Sequence, residues 1–395
     1  MGKNKKTLAG LIIGIDASNL RDGGGVTHLI EFLRAAQPYE YGISKIVVWA
    51  TTETLDKIES RSWIIKSYSS ILDGGSVSRI LWQKIILYKK ACEAACDLLF
   101  VPGGRYTGRF SPFVTMSRNL LPFEMKELMR FRWSLKTIRL LVLRSWQSNT
   151  FRKADGVIFL TQYAKESVLK ITGEIKGKQQ VISHGISNRF LMQPRIQRPI
   201  CEYDFDNPYR MLYVSIISPY KHQWNVIEGL AVLRCAGFPV VLHLVGPSDP
   251  KSYALLNASI TQWDPLGKWV FYHGEIPYTE LHEIYEQAEL GIFASSCENM
   301  PNILLETMIA GLPIACSDRG PMPEVLGDAA IYFDPESPDS IASALLELIN
   351  SVGLREKLAQ LSFERAQQYS WEKCAGETLA FLSEVAESSG VRVSD

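Results

Sequence analysis

Two carboxylates separated by seven residues, Glu298 and Glu306, stand where the sequence changes from strand to helix. Residues 291–313 read GIFASSCENMPNILLETMIAGLP. The apolar start predicts a buried strand ending near Ala294. A polar turn then leads into a helix that begins near Asn302 and stops at Gly311, ahead of Pro313. A helix start presents unpaired amides and a partial positive charge, which suits a phosphate. Glu306 falls in the second turn behind that point, where its carboxylate can accept two ribose hydroxyls. Glu298 precedes the helix, on the side where a sugar joined to the diphosphate would sit. One element can therefore hold ribose, diphosphate and sugar in order. Taken alone, the two acids are also what the dipole of a surface helix favours.

The elements that must position this pair repeat along the chain. Short β-branched runs at 11–15, 45–50, 97–101, 113–116, 156–160 and 180–183 alternate with helical stretches. After a Pro- and Asp-containing stretch at 194–208 the pattern restarts, with runs at 211–215, 240–245, 269–272, 290–294, 313–317 and 330–333. Two successive βα series predict two doubly wound, Rossmann-like α/β domains facing a cleft, with ligands beyond the carboxyl ends of the strands. The expected division is 1–200, 201–375 and a C-terminal helix and tail, 376–395, packing back on the first domain. In the first domain the opening strand runs into DASNLRDGGGVTHL. Gly24 and Gly25 let the backbone approach a ligand closely ahead of a helix capped by Thr27. A second glycine turn, PGGRY at 102–106, follows another strand.

Composition narrows the partners. Lys plus Arg equals Asp plus Glu at 42 each, so no global field points to nucleic acid. Apolar residues at 46% and charged residues at 21% are the balance of a folded globular chain. Seven scattered cysteines form neither a disulfide framework nor a zinc spacing. The start MGKNKKTLAGLIIGIDA is basic then apolar, but its run ends at Asp16 without a small-residue cleavage site, so a buried first strand and a cytosolic location are expected. No Asp-x-Asp stands at a strand end, and no divalent metal or other cofactor is expected. Residues 125–146, MKELMRFRWSLKTIRLLVLRSW, are apolar and basic and include Trp133 and Trp146. They suit an anionic bilayer surface, or equally a helix packed on a sheet with a solvated basic face.

The stretch SSCENMPNILLETMIAGLPIACSDRGPMPEVLGDAAIYFDP closely resembles the donor-binding region of glycosyltransferase family 4, the retaining GT-B enzymes. It carries the E-x7-E spacing, the A-G-L-P helix end and the P-E-V-x-G-D continuation. The likeness runs on through YVSIISPYKHQWNVIEGL and FYHGEIPYTELHEIYEQAELGIFAS, and more weakly through the N-terminal half. It implies the GT-B fold, with Glu306 on the nucleotide ribose, Glu298 at the reacting centre of the transferred sugar and Lys221 on the diphosphate. It also implies that the Gly24–Gly25 loop approaches the diphosphate and acceptor. His184 matches a linker-side segment, and a packing role suits it as well as a binding one.

Three positions depart from that pattern. Ile216 stands where many members carry an arginine, five residues before the lysine. The missing cation must be compensated by His222, Arg319, the glycine loop or the helix end at Asn302, and Arg319 is favoured because it follows a strand. Pro301 replaces a glycine. Ser117-Arg118-Asn119 follows the strand PFVTM where a histidine is common, so Arg118 or Asn119 inherits its place beside the sugar. The resemblance implies transfer of a hexosyl unit, with retention, from a nucleoside diphosphate sugar to a hydroxyl acceptor. That acceptor is a glycan or lipid-linked saccharide in cell-surface polysaccharide synthesis, met in the cytoplasm or at the inner face of the membrane. The competing expectations are a GT-B-fold sugar-nucleotide epimerase and a non-catalytic binding or scaffold subunit.

Overall fold

The computed structural model describes residues 10–21, 23–132 and 134–390. The chain divides into two compact units. The first takes the chain as far as Phe123, then Ile138–Gly185 and the segment from Trp371 onward. The second takes Glu124–Thr137 and Ile186–Ser370.

The first unit is built on seven parallel strands: β1 (Leu11–Asp16), β2 (Ile43–Trp49), β3 (Ile64–Ser67), β4 (Leu98–Val101), β5 (Phe113–Met116), β6 (Gly156–Phe159) and β7 (Lys178–Val181). Their order is β3-β2-β1-β4-β5-β6-β7. Ile15 pairs with Val48 on one side and Phe100 on the other, which makes β1 an interior strand. Every residue of β4, β5 and β6 is buried, as a parallel sheet covered on both faces requires. The helix Gly23–Ala35 buries Val26, Leu29, Phe32 and Leu33, and the C-terminal helix Trp371–Ser388 packs against it.

The second unit has six parallel strands: β8 (Tyr209–Val214), β9 (Val240–Val245), β10 (Val270–Tyr272), β11 (Leu290–Phe293), β12 (Ile314–Ser317) and β13 (Ile331–Phe333). Their order is β10-β9-β8-β11-β12-β13. The winding direction reverses between β1 and β4 in one sheet and between β8 and β11 in the other. Loops leaving those neighbouring strands diverge at their carboxyl ends and open a crevice there.

Several expectations need correction. The three glycines 23–25 are not a loop before a helix capped by Thr27: they form the first turn of the helix itself, with Gly23 at φ +60. The edge strand β3 was not foreseen, because its four residues IIKS are all partly or fully exposed and Lys66 ends the short apolar run. Residues 125–146 are not one helix. A short helix, Met125–Met129, ends before Arg132 at φ +53, and a second runs Leu135–Lys153. Trp133 lies outside the described residues, as do residues 1–9. The change of unit falls at 185/186 rather than 200, since residues 186–198 are tied into the second unit. The Met192 amide donates to the Ile309 carbonyl at 3.0 Å, and Arg195 donates to the Glu286 carbonyl at 2.6 Å.

Candidate functional site

Ser215 and Ile216 leave β8, and the chain turns back through Ser218, whose carbonyl accepts the Lys221 amide at 2.9 Å. The Tyr213 hydroxyl donates to the Lys221 carbonyl at 2.7 Å, and His222 holds φ +52, a costly conformation for a side-chain-bearing residue. That turn delivers the Lys221 ammonium to the loop leaving β11. There it forms an ion pair and hydrogen bond with Glu298, both side chains being largely buried. The ammonium also lies 5.4 Å from the ring centres of Tyr220 and Phe293. Lys221 and Glu298, 77 residues apart in the chain, thus meet at the switch point of the second sheet.

The helix Asn302–Ile309 follows, with Pro301 just ahead of it. Its Glu306 is 5% exposed. One carboxyl oxygen accepts the Tyr278 hydroxyl at 3.1 Å, and the other is enclosed with no hydrogen-bond partner among the described residues. Burial pushes the carboxyl up to about 8, against the opposing effect of the Tyr278 and Tyr285 hydroxyls beside it. The Asn302 side-chain oxygen is likewise enclosed and unpartnered among the described residues. Buried acceptors left open in this way are costly unless something else fills them. A ligand with hydroxyl donors would satisfy both.

Arg319 follows β12 as expected, and Gly320 beside it approaches the backbone of Glu298. Its charge, however, is already answered. The guanidinium bonds Asp334 at 2.9 Å and lies 3.2 Å from Asp318, with 41% of the side chain exposed. Arg319 is thus paired rather than free in this structure, and Ile216 after β8 is 45% exposed. His222 is no cation. It is buried against Ser296 (2.9 Å), and burial lowers its ring to about 4.

Sequence reasoning missed the polar support around this pair. Ser296 donates to the buried Glu127, which Arg130 clamps at 2.6 Å. Arg130 and Lys126 also hold Glu336, at 2.7 and 2.6 Å. Two of the cations expected to face a bilayer are thus spent inside the second unit. Tyr278, the partner of Glu306, sits in the loop EIPYTE, which carries no spacing signal.

In the first unit, Arg118 follows β5 and donates to the Gly24 carbonyl at 2.6 Å. Gly25 packs on the same guanidinium: a Cβ there would lie 3.0 Å from Nη1. Asn119 is exposed and uses its side-chain oxygen to accept the Leu121 amide at 3.1 Å, a local turn bond. His184 is buried, its Nδ1 lies 2.8 Å from that of His28, and burial drops its ring to about 3. His184 is thereby a neutral packing partner of His28. Asp16, absent from the expected set, is fully buried at the end of β1 and accepts from Gln83 at 2.6 Å and Trp82 at 3.1 Å.

Comparison with known proteins places this geometry. Residues 202–365 match the family described as Glycosyl transferases group 1. The O-antigen chain mannosyltransferase B of Escherichia coli is 32% identical over 172 residues, 42% of this chain and 44% of that protein. The D-inositol 3-phosphate glycosyltransferase of Corynebacterium glutamicum is 21% identical over 45% of this chain and 44% of its own. The chain thus spans less than half the length of these curated relatives. Among solved structures, sucrose-phosphate synthase from Thermosynechococcus elongatus superposes with a TM-score of 0.73, at 16% identity, over 96% of this chain and 100% of that one. Anabaena HepE, solved with UDP and glucose, gives 0.66 at 19% identity over 94% of this chain and 100% of that one. The fold is therefore GT-B, two parallel-sheet Rossmann-like α/β domains, and residues 202–365 of the second unit are similar to group 1 glycosyl transferases.

The described residues include no helix long and apolar enough to cross a membrane.

Proposed function

We propose that the chain is a retaining glycosyltransferase that moves a hexosyl unit from a nucleoside diphosphate sugar to a hydroxyl of a glycan or lipid-linked saccharide. The observation that carries this reading is the Lys221–Glu298 pair at the β8/β11 switch point, with the open carboxyl oxygen of Glu306 on the helix behind it. The match to group 1 glycosyl transferases over 202–365 and the likeness to an O-antigen mannosyltransferase support it. Glu306 and Asn302 take ribose hydroxyls, Lys221 takes the diphosphate, and Glu298 faces the transferred sugar. The sugar C1–O bond to the β-phosphate breaks, and a C1–O bond to the acceptor forms on the same face. The acceptor proton passes to the departing phosphate oxygen, and the nucleoside diphosphate leaves. No carboxylate becomes covalently attached, and the protein contributes position and fixed charge. Lys221 and the helix start stabilise the leaving charge without a divalent ion. Arg118, Asn119 and His184 are the residues proposed for the acceptor.

A peripheral contact with an anionic bilayer belongs to the same reading, for a cytoplasmic enzyme whose acceptor is lipid-linked. Ile138, Val142 and Trp146 lie on one face of the helix Leu135–Lys153, exposed by 55%, 43% and 43%. Arg139 accompanies them on the exposed surface, and the Arg105 guanidinium stacks 4.3 Å over Trp146.

Isothermal titration against a panel of nucleoside diphosphate sugars tests the donor reading. One member of the panel binds, and Glu306→Ala weakens that binding while Glu298→Ala mainly slows transfer. No binding to any donor would leave a scaffold subunit, and full activity in both variants would remove the site assignment.

A further inference from the structure

Ser296 holds both chain neighbours of Lys221. Its amide donates to the Tyr220 carbonyl at 2.8 Å, and its hydroxyl lies 2.9 Å from Nε2 of His222. Two residues further along the same loop stands Glu298, the partner of that lysine. Ser296 therefore fastens the loop that carries the carboxylate to the turn that carries the ammonium. His222 sits in this turn at φ +52, a conformation that persists only where its surroundings hold it.

The protons of this arrangement can be assigned. A serine hydroxyl has one proton, and that of Ser296 goes to the buried Glu127 carboxylate, a stronger acceptor than the Tyr220 carbonyl at 3.3 Å. Burial lowers the His222 ring to about 4, so it is neutral and carries a single proton. That ring must then donate to Ser296 through Nε2, which leaves Nδ1 as an acceptor. Its other side agrees: the Asn225 amino group donates to the Pro335 carbonyl at 2.8 Å and lies 3.4 Å from Nδ1. The hydrogen bonds thus run from Asn225 through His222 and Ser296 to Glu127. They end on a charge, because Arg130 binds Glu127 through Nε at 2.6 Å and through Nη2 at 3.3 Å. The segment bearing Glu127 is itself fixed. Arg130 and Lys126 hold Glu336, and the Phe131 ring stands edge-on to Tyr220 with centroids 6.3 Å apart.

We infer that Glu127 is a positioning residue for Lys221 and Glu298: by taking the Ser296 proton it leaves the serine oxygen to His222, and so fixes the two loops on which the pair is mounted. The acid comes from the segment Glu124–Thr137, outside the residues 202–365 that match group 1 glycosyl transferases, and stands 169 positions before Ser296 in the chain. Its effect on transfer rests on the transferase reading, whereas the hydrogen-bonded bridge does not.

Two measurements on the full chain test this. NMR of the imidazole nitrogens, with His222 assigned through His222→Gln, places its proton on Nε2. In Glu127→Ala that proton exchanges with water at least about tenfold faster. A proton on Nδ1, or equal exchange in the two proteins, overturns the bridge. Release of nucleoside diphosphate is then followed with UDP-glucose and GDP-mannose, water serving as acceptor. Glu127→Ala and Ser296→Ala each lower kcat roughly 10- to 100-fold while the donor KM stays within about threefold, as misplacement of reacting groups implies. The double variant falls no more than about twofold below the slower single one, because the two residues act through one bridge. Glu127→Gln, which keeps an oxygen for the serine hydroxyl, recovers most of the loss. Losses that multiply, a KM that rises while kcat holds, or a Glu127→Gln as slow as the alanine variant each overturn the positioning role. If Glu127→Ala does not fold, Ser296→Ala and Glu127→Gln carry the same comparison. Failure of the transferase reading shows differently: the wild type neither binds nor cleaves either donor, while the spectra still decide the bridge.

Discussion

Replacing Glu306 by glutamine preserves shape and removes the charge, so the consequence can be worked through. Burial raises this carboxyl from an ordinary 4.5 to about 8. In the unfolded chain it ionises near 4.5, so between those values the folded protein keeps a proton that the unfolded chain has released. The stability associated with Glu306 is therefore fully present below about pH 4.5 and is lost as pH rises through about 8. A gap of about 3.5 units, each about 1.4 kcal/mol, sets an upper bound of about 5 kcal/mol. Relaxation around the ionised group will reduce this to roughly 2–4 kcal/mol. Glu306→Gln does not titrate. Urea unfolding at pH 5, 7 and 9 should show variant and wild type close at pH 5 and the variant more stable by at least about 2 kcal/mol at pH 9. On the donor side, above about pH 8 where the wild-type carboxyl is ionised, the variant loses one of two acceptor oxygens, and nucleotide affinity measured there should fall roughly 10- to 100-fold. Parallel stability profiles for the two proteins across pH 5–9 would refute the burial argument. Unchanged nucleotide affinity would refute the ribose assignment independently.

The ion pair predicts a split. Lys221→Met should lower stability by about 1–3 kcal/mol by leaving Glu298 partly buried and unpaired, and should weaken nucleoside diphosphate binding at least tenfold. Adding Glu298→Gln should restore most of the stability in urea melts without restoring binding. Arg319→Ala should change nucleotide affinity less than about threefold by titration, because Asp334 and Asp318 already hold that guanidinium. Arg355 is fully buried and donates to the Leu348, Ile349 and Arg198 carbonyls at 2.7, 2.6 and 2.6 Å. Arg355→Ala should therefore cost the second unit about 2–4 kcal/mol in denaturant unfolding, since three carbonyls lose a charged donor and a cavity opens.

What the sequence made legible was whatever depends on neighbours in the chain. Runs such as 113–116 and 240–245 became β5 and β9 with unchanged bounds, because a parallel strand covered on both faces reads as a mostly apolar run, interrupted here only by Thr115 and the partly exposed His243. The helix carrying Glu306 began at Asn302 for equally local reasons, a polar turn and a proline. The first-unit helix was misplaced by four residues because three glycines disfavour helix by propensity, and packing of Val26, Leu29 and Phe32 overrides that preference. Partners far apart in the chain were invisible. Asp334 reaches Arg319 only because β12 and β13 pair, Cys316 opposite Tyr332. The stretch 194–208 read as the break between the two series, yet Arg195 and Arg198 in it are bound to the second unit by the Ala288 carbonyl and the side chain of Arg355.

The way the Lys221–Glu298 pair is held explains how two opposite charges can be kept out of water at one site. A lysine and a glutamate withdrawn from water separately would each be destabilising. Placed at the β8/β11 switch point, they neutralise each other until a ligand arrives. On the proposed reading the diphosphate, with its larger negative charge, draws the ammonium away. That exchange leaves the Glu298 carboxylate facing the sugar just when positive charge develops at its reacting carbon. One ion pair would then couple donor binding to transition-state stabilisation. The coupling needs a lysine that is short of other acceptors, and its environment fits: two aromatic rings at 5.4 Å and a single carboxylate. Ile216, an apolar side chain in place of a second cation, makes Lys221 the group on which that exchange turns.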